Sequence, residues 1–259
     1  PRQVAPVGVE PPEQSFGIDR QLLVPLSRCA VGCTRRKPDS PVTGCTCTMK
    51  PMPASNPIAA WKSLKEGNQR FVSGEVLHPS QGVEDRARLE SAQHPGAILF
   101  GCADSRVAAE IIFDQGLGDM FVVRTAGHVV DSAVLGSIEY GVAVLKAPLI
   151  VVLGHDHCGA VQATVDALGS GDVPGGYIRD VVERVTPSVL SARRDGHEAV
   201  DEFEARHVQE TGNLLMQRSR IVAETVAAGD LAIVGLTYQL SKGRVQLREV
   251  IGEIGELPA

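Results

Sequence analysis

Two short clusters hold residue types that do chemistry. Gly101-Cys102-Ala103-Asp104-Ser105-Arg106 closes one apolar run, and Gly154-His155-Asp156-His157-Cys158-Gly159 closes another. Cys102, His155 and Cys158 together offer two thiolates and one imidazole. Zinc takes four ligands in a tetrahedron, and a catalytic zinc keeps one position open for water or substrate. A set of two cysteines and one histidine leaves that position open. The two thiolates cancel the charge of the metal, so a bound anion leaves a negative charge for a nearby cation to offset. Arg106 is that cation, two residues from Asp104 and four from Cys102. In an extended segment these three side chains share one side, so Asp104 can bond Arg106 while facing the metal. Each piece also has an ordinary explanation. A buried cysteine is commonly packing, Asp-x-Arg is commonly a surface ion pair, and Cys102 with Cys158 can form a redox pair. On the residues alone these alternatives stay open. The joint occurrence of both clusters at the ends of apolar runs is what favours a site.

The clusters need elements that bring them together. Ala97–Cys102, Met120–Val123, Leu149–Leu153 and Leu231–Leu236 are apolar on both faces, the pattern of parallel strands covered by helices on two sides. Val245–Val250 alternates and reads as an edge strand. A helix is predicted from Ile58 to about Phe71, with Asn56 as N-cap and Pro57 in the first turn. A second is predicted over Glu84–Ser91, and a third over Asp131–Lys146 with Leu135, Ile138, Val142 and Leu145 on one face. Ile178, Val181, Val182 and Val185 fall at i, i+3, i+4 and i+7 of a fourth. A long polar helix is predicted over Ala199–Ala228. The fold class that follows is α/β: a single domain with a mainly parallel central sheet flanked by helices. Sites in such sheets form at the carboxyl ends of the strands, so both clusters should project at one sheet edge.

Composition bounds the rest. The chain has 259 residues, 43% of them hydrophobic, enough for a sizeable core, so global disorder is excluded. Aromatics are scarce and Trp61 is the single tryptophan, so the core must come from Val, Ile, Leu and Ala. A net charge of −6 argues against a nucleic-acid partner, which calls for a basic surplus. No run approaches the ~20 apolar residues of a membrane span. Six cysteines in so long a chain do not read as a disulfide scaffold. A reducing, cytoplasmic setting is expected.

Residues 1–50 are rich in proline and show neither helical nor strand periodicity. They read as a flexible extension, or as sequence upstream of a natural start at Met49 or Met52. Residues 51–259 read as the catalytic domain. Cys29, Cys33, Cys45 and Cys47 supply four thiols, but the one-residue gap of the second pair fits a zinc knuckle poorly.

The two-part motif, Cys-Ala-Asp-Ser-Arg at 102–106 with Gly-His-Asp-His-Cys-Gly at 154–159, resembles that of the β-class carbonic anhydrases, bacterial members most of all. The likeness runs from about Asn56 to Gly255 and includes Phe-Val-Val-Arg-Thr-Ala-Gly at 121–127 and Ser-Ile-Glu-Tyr at 137–140. The resemblance implies zinc-dependent, reversible hydration of carbon dioxide to bicarbonate and a proton, by attack of zinc-bound hydroxide. It implies Cys102, His155 and Cys158 as zinc ligands. Asp104, fixed by Arg106, would orient the hydroxide and, in a closed state, become the fourth ligand. It implies Gln93, Phe121, Ala126, Tyr140 and Gly159 around the substrate; Gly159 equally suits a plain helix start. A homodimer or tetramer is implied, with the N-terminal helices near Trp61 packing on the partner. His128 stands where many relatives have Asn; it and His157 are read as hydrogen-bonding groups or proton shuttles. Carbon disulfide hydrolases share the scaffold, and a redox or metal-sensing regulator is the remaining alternative.

Overall fold

The computed structural model describes residues 56–257. The expectations for residues 1–50, the cysteines at 29, 33, 45 and 47 and a start at Met49 or Met52, lie outside the described residues.

Helix α1 (Pro57–Ser73) begins as the sequence predicts. The Asn56 side chain accepts the Ala59 N–H at 2.9 Å, and Pro57 occupies the first turn. It ends at Gly74, whose left-handed backbone (φ 77°) returns its N–H to the Arg70 and Phe71 carbonyls. Ala60, Trp61 and Leu64 face the chain's own core. Gly67 lets the helix approach closely: a Cβ there would lie 1.8 Å from the Phe113 carbonyl oxygen. Helix α2 (Val83–Leu89) is short and contributes nothing to the core.

Among the described residues five strands form one sheet: β1 (Ala97–Cys102), β2 (Met120–Thr125), β3 (Leu149–His155), β4 (Ala232–Gln239) and β5 (Arg244–Ile251). Their order is β2-β1-β3-β4-β5, the first four parallel and β5 antiparallel at the edge. β1 and β3 are buried along their whole length, as their unbroken apolar runs require. α1 and α3 (Ala109–Ile112) cover one face with a core of Leu99, Val151 and Val234. α4 (Ser132–Ala143), α7 (Val200–Arg218) and α8 (Arg220–Ala227) cover the other, over Ile98, Ile150 and Ile233. α5 (Gly159–Ser170) and α6 (Ile178–Arg194) close a third apolar cluster around Cys102 and Cys158.

Two differences from the sequence reading have local causes. The long helix predicted over Ala199–Ala228 breaks at Ser219, whose backbone is extended (φ −110°, ψ 109°). Its hydroxyl accepts the Val222 N–H and donates to Glu139, so a buried cap replaces a continuous helix. Cys102, Asp104 and Arg106 do not lie on an extended segment. The chain turns after β1, with the Val107 N–H donating to the Asp104 carbonyl, and Asp104 reaches Arg106 across that turn.

Candidate metal centre

β1 leads to β2 on one side and is flanked by β3 on the other, so the chain reverses direction across the sheet between β1 and β3. Ligand crevices in open α/β sheets form at this switch point, outside the carboxyl ends of the strands. Cys102 is the last residue of β1 and His155 the last of β3. Cys158 caps α5 three residues later. One ligand atom from each of the three lies within 4.8 Å of the others, and all three residues are buried.

The donor chemistry fits a metal. His155 Nδ1 lies 2.8 Å from the Asp156 carbonyl oxygen, which only an N–H can satisfy. Nε2 is therefore the bare nitrogen of the neutral ring, and it is buried with no hydrogen-bond partner. An orphaned lone pair aimed between two buried thiols is costly without a cation. The thiols are coupled. The Cys158 S–H bonded to Cys102 holds the Cys102 thiol far below the ordinary range despite burial, with help from the Gly127 N–H. The same shared proton, with burial, drives Cys158 up. One thiolate thus forms readily, and a dication supplies what the second needs.

Around these three residues, the Gly127 N–H donates to Cys102 Sγ at 3.3 Å. The Cys158 N–H donates to Glu204 Oε1 at 2.7 Å. Glu204 is 2% exposed, and burial is the main force raising its carboxyl to about 7. Asp104 receives Arg106 Nε on Oδ1 at 2.9 Å and Nη2 on Oδ2 at 2.7 Å. Those bonds hold its carboxyl well below the usual carboxylate range. Its Oδ2 stands 3.9 Å from His155 Nε2, beside the ligand cluster. Arg106 also donates to the His157 carbonyl at 3.2 Å, tying the two motif loops together.

Three contributors carry no role in the sequence reading. Arg124 on β2 donates to the carbonyls of Cys102 (2.9 Å) and Asp104 (2.6 Å), which shapes the turn after β1. It lies inside the Phe-Val-Val-Arg-Thr-Ala-Gly segment, and its tie to the first cluster depends on strand register. Glu204 and His207 are buried polar residues inside α7. Their one signal is a charged or imidazole side chain on the face shared with Phe203 and Val208.

The residues predicted to surround the substrate divide in two. Ala126 and Gly159 lie at the metal end, Ala126 in the 3-10 turn after β2 and Gly159 at the first position of α5. Gln93, Phe121 and Tyr140 lie elsewhere. Phe121 pairs with Ile98, four residues before Cys102 and so roughly 13 Å back along the strand. Tyr140 packs against Phe121, with ring centroids 6.1 Å apart, and lines a surface hollow with Gln93 at that far end. His128 is 2% exposed, and neither ring nitrogen has a partner; His157 is exposed.

The sequence pattern described as Carbonic anhydrase matches residues 97–245, which hold the whole cluster and all five strands up to the start of the last. The chain belongs to the β-class carbonic anhydrases. Carbonic anhydrase 2 of Mycobacterium tuberculosis is 69% identical over 205 residues, spanning 79% of this chain and 99% of the relative. The Mycolicibacterium smegmatis carbonic anhydrase is 67% identical over 206 residues, 80% of this chain and 100% of that one. The fold matches the Coccomyxa β-carbonic anhydrase in complex with acetazolamide at a TM-score of 0.58 and 25% identity, covering 72% of this chain and 86% of that chain. This carbonic anhydrase is therefore a zinc enzyme that hydrates carbon dioxide reversibly to bicarbonate and a proton. Neither alternative, carbon disulfide hydrolysis or a cysteine-based regulator, gains support from these relatives.

Proposed function

We propose that Cys102, His155 and Cys158 hold the zinc, that Asp104 steered by Arg106 orients the nucleophile, and that a second copy of the chain completes each substrate pocket. The observation that carries the reading is the buried, unpartnered His155 Nε2 set between two buried thiols, with a fixed carboxylate beside it. Zinc, when bound, brings the pKa of water down toward neutrality and supplies a nucleophile near pH 7.

The protein's residues do the rest. Asp104 stays ionised, so it accepts a hydrogen bond from the attacking oxygen and aims its lone pair; it does not act as an acid. Arg106 engages both carboxylate oxygens, which favours the orienting role over Asp104 turning in as a fourth ligand. Gly159, at the start of α5, carries an N–H beside the ligand Cys158 that suits a substrate oxygen. The exposed His157 suits proton exchange with solvent better than the buried His128.

Gln93, Phe121 and Tyr140 lie too far along the sheet to serve the zinc of their own chain. Tyr140 remains 48% exposed. That separation supports a dimer in which they serve the partner's site, with tetramers as pairs of dimers. The Sordaria macrospora relatives of this fold are described as tetrameric. α1 packs on its own sheet through Trp61, leaving Ile58 outward at 47% exposure. No helix among the described residues is long and apolar enough to cross a membrane. The cysteine usage supports a cytoplasmic enzyme, and the net charge of −6 supports one without a nucleic-acid partner. The reading of residues 1–50 as an extension outside the catalytic unit is supported by the family match at residues 97–245 and by a mycobacterial relative of which 99% aligns with about four-fifths of this chain.

Stopped-flow hydration of carbon dioxide tests the shared pocket. Cys158→Ser and Gln93→Ala chains, each nearly inactive alone, are mixed and allowed to exchange. Recovered activity is expected, because a mixed dimer holds one site with both an intact metal set and an intact partner glutamine. No recovery in demonstrated mixed dimers contradicts sharing.

A further inference from the structure

His207 lies on α7, is 4% exposed, and anchors the backbone that bonds one of the proposed zinc ligands. Its Nε2 lies 2.8 Å from the Gly127 carbonyl oxygen, and its Nδ1 lies 2.9 Å from Ser188 Oγ on α6. A carbonyl only accepts, so Nε2 carries the proton. Nδ1 then accepts from the serine hydroxyl, which fixes that tautomer. Burial holds the ring neutral, at about 4. Gly127 sits between this anchor and Cys102. Its carbonyl is held by His207, while its N–H donates to Cys102 Sγ at 3.3 Å.

The intervening backbone is strained in a way that needs an anchor. Gly127 has φ 60° and ψ 22°, and His128 after it has φ 41°, so two successive residues are left-handed and one of them bears a bulky side chain. A Cβ at position 127 would lie 2.7 Å from the Ala160 Cβ, so the turn is pressed against α5. The His128 ring stacks on His207 with centroids 4.3 Å apart and has no polar partner of its own. Thr125 Oγ1 closes the turn from outside by donating to the Val129 carbonyl at 3.0 Å, and His207 is the side chain that holds the Gly127 carbonyl itself.

We propose that His207 is a positioning residue for the zinc centre: it pins the Gly127–His128 turn so that the Gly127 N–H stays on Cys102 Sγ. An N–H bonded to a thiolate withdraws charge from sulfur, which lowers its donation to the metal and leaves the metal more acidic toward water. Releasing the Gly127 carbonyl frees the turn to relax, the N–H leaves the sulfur, and Cys102 becomes a stronger donor. The inference rests on Cys102 being a zinc ligand.

Cobalt(II)-substituted holoenzyme reads this directly, because the sulfur-to-cobalt charge-transfer band in the near ultraviolet follows the charge on the thiolates. His207→Met removes the donor at similar volume. His207→Gln keeps an amide N–H where Nε2 stood. The band should move to longer wavelength in His207→Met and stay at the wild-type position in His207→Gln. Where His207→Met does not fold, His207→Asn takes its place with the same expectation, since its shorter amide stops before the Gly127 carbonyl. A metal-loaded His207→Met or His207→Asn protein with the wild-type band overturns the proposal, as does a His207→Gln band shifted as far as theirs. Cys102→Ser should lose at least half of the band intensity, with one thiolate fewer and less metal held; full intensity there overturns the ligand reading itself.

Discussion

Arg106 holds Asp104 by two parallel hydrogen bonds, Nε to Oδ1 at 2.9 Å and Nη2 to Oδ2 at 2.7 Å, and the Arg106 backbone N–H adds a third to Oδ1 at 2.9 Å. A planar fork matched to a carboxylate fixes direction as well as charge, and a lysine ammonium has no such plane. Arg106→Lys should therefore retain zinc but hydrate carbon dioxide about 10- to 100-fold more slowly. Asp104→Ala should lose at least as much. Zinc content and stopped-flow rates on the same samples check this; a wild-type rate in Arg106→Lys would remove the bidentate grip from the mechanism.

Glu204 offers a contrast between charge and hydrogen bond. Its Oε1 accepts the Cys158 N–H at 2.7 Å in a buried position. Glu204→Gln keeps a carbonyl oxygen there and should change stability little. Glu204→Leu orphans the N–H and should cost about 1–3 kcal/mol, read from the shift of the urea midpoint at constant slope.

At position 127 a side chain is excluded twice, by a φ of 60° and by the Ala160 Cβ at 2.7 Å. Gly127→Ala should destabilise the fold by about 1–3 kcal/mol and release zinc more readily to a chelator. An alanine variant with wild-type zinc retention would show that the turn after β2 does not matter to the centre.

Acid should weaken the fold through the buried histidines. His207 is held at about 4, against 6.5 when free, and His128 is also pushed well below its ordinary value, in both cases chiefly by burial. Above pH 6.5 both states of the protein carry neutral rings and there is no effect. As pH falls from 6.5 to 4, the unfolded chain takes up protons that the native chain refuses, so stability drops by up to about 3 kcal/mol for His207 alone. Urea midpoints across that range should fall less steeply in His207→Gln than in wild type. Equal slopes would contradict a neutral buried ring.

Deleting residues 1–48 should leave zinc content and the hydration rate unchanged, because the mycobacterial relative matches almost end to end without about a fifth of this chain. A large loss of either would place the four early cysteines in the working protein.

The central strands and the convergence of Cys102, His155 and Cys158 were legible because their signals are local. A run such as Leu149-Ile-Val-Val-Leu153 admits little but a buried strand, and strand direction then sends Cys102 and His155 to one edge. The capped start of α1 at Asn56 is equally local. Features fixed by tertiary contact were hidden. Ser219 breaks a helix whose sequence continues smoothly, because Glu139 on α4 supplies a partner 80 positions away. Glu204 and His207 matter through what α7 is packed against. Phe121 lies far from its own metal end because strand register, not motif spacing, sets that distance, and Tyr140 packs against it there. Short α3 and the turn at Ala126–His128 carry too few residues for any periodicity to show.

The most direct test of the account is the zinc content of purified protein by atomic emission, wild type beside Cys158→Ser. Cys102, His155 and Cys158 are the proposed ligands, one atom of each within 4.8 Å of the others, and a neutral hydroxyl is a far poorer zinc ligand than a thiolate. About one zinc per chain is expected in the wild type and a small fraction of that in the folded variant, with hydration activity lost in step. Full zinc in folded Cys158→Ser, or wild-type protein that is active without zinc, would contradict it.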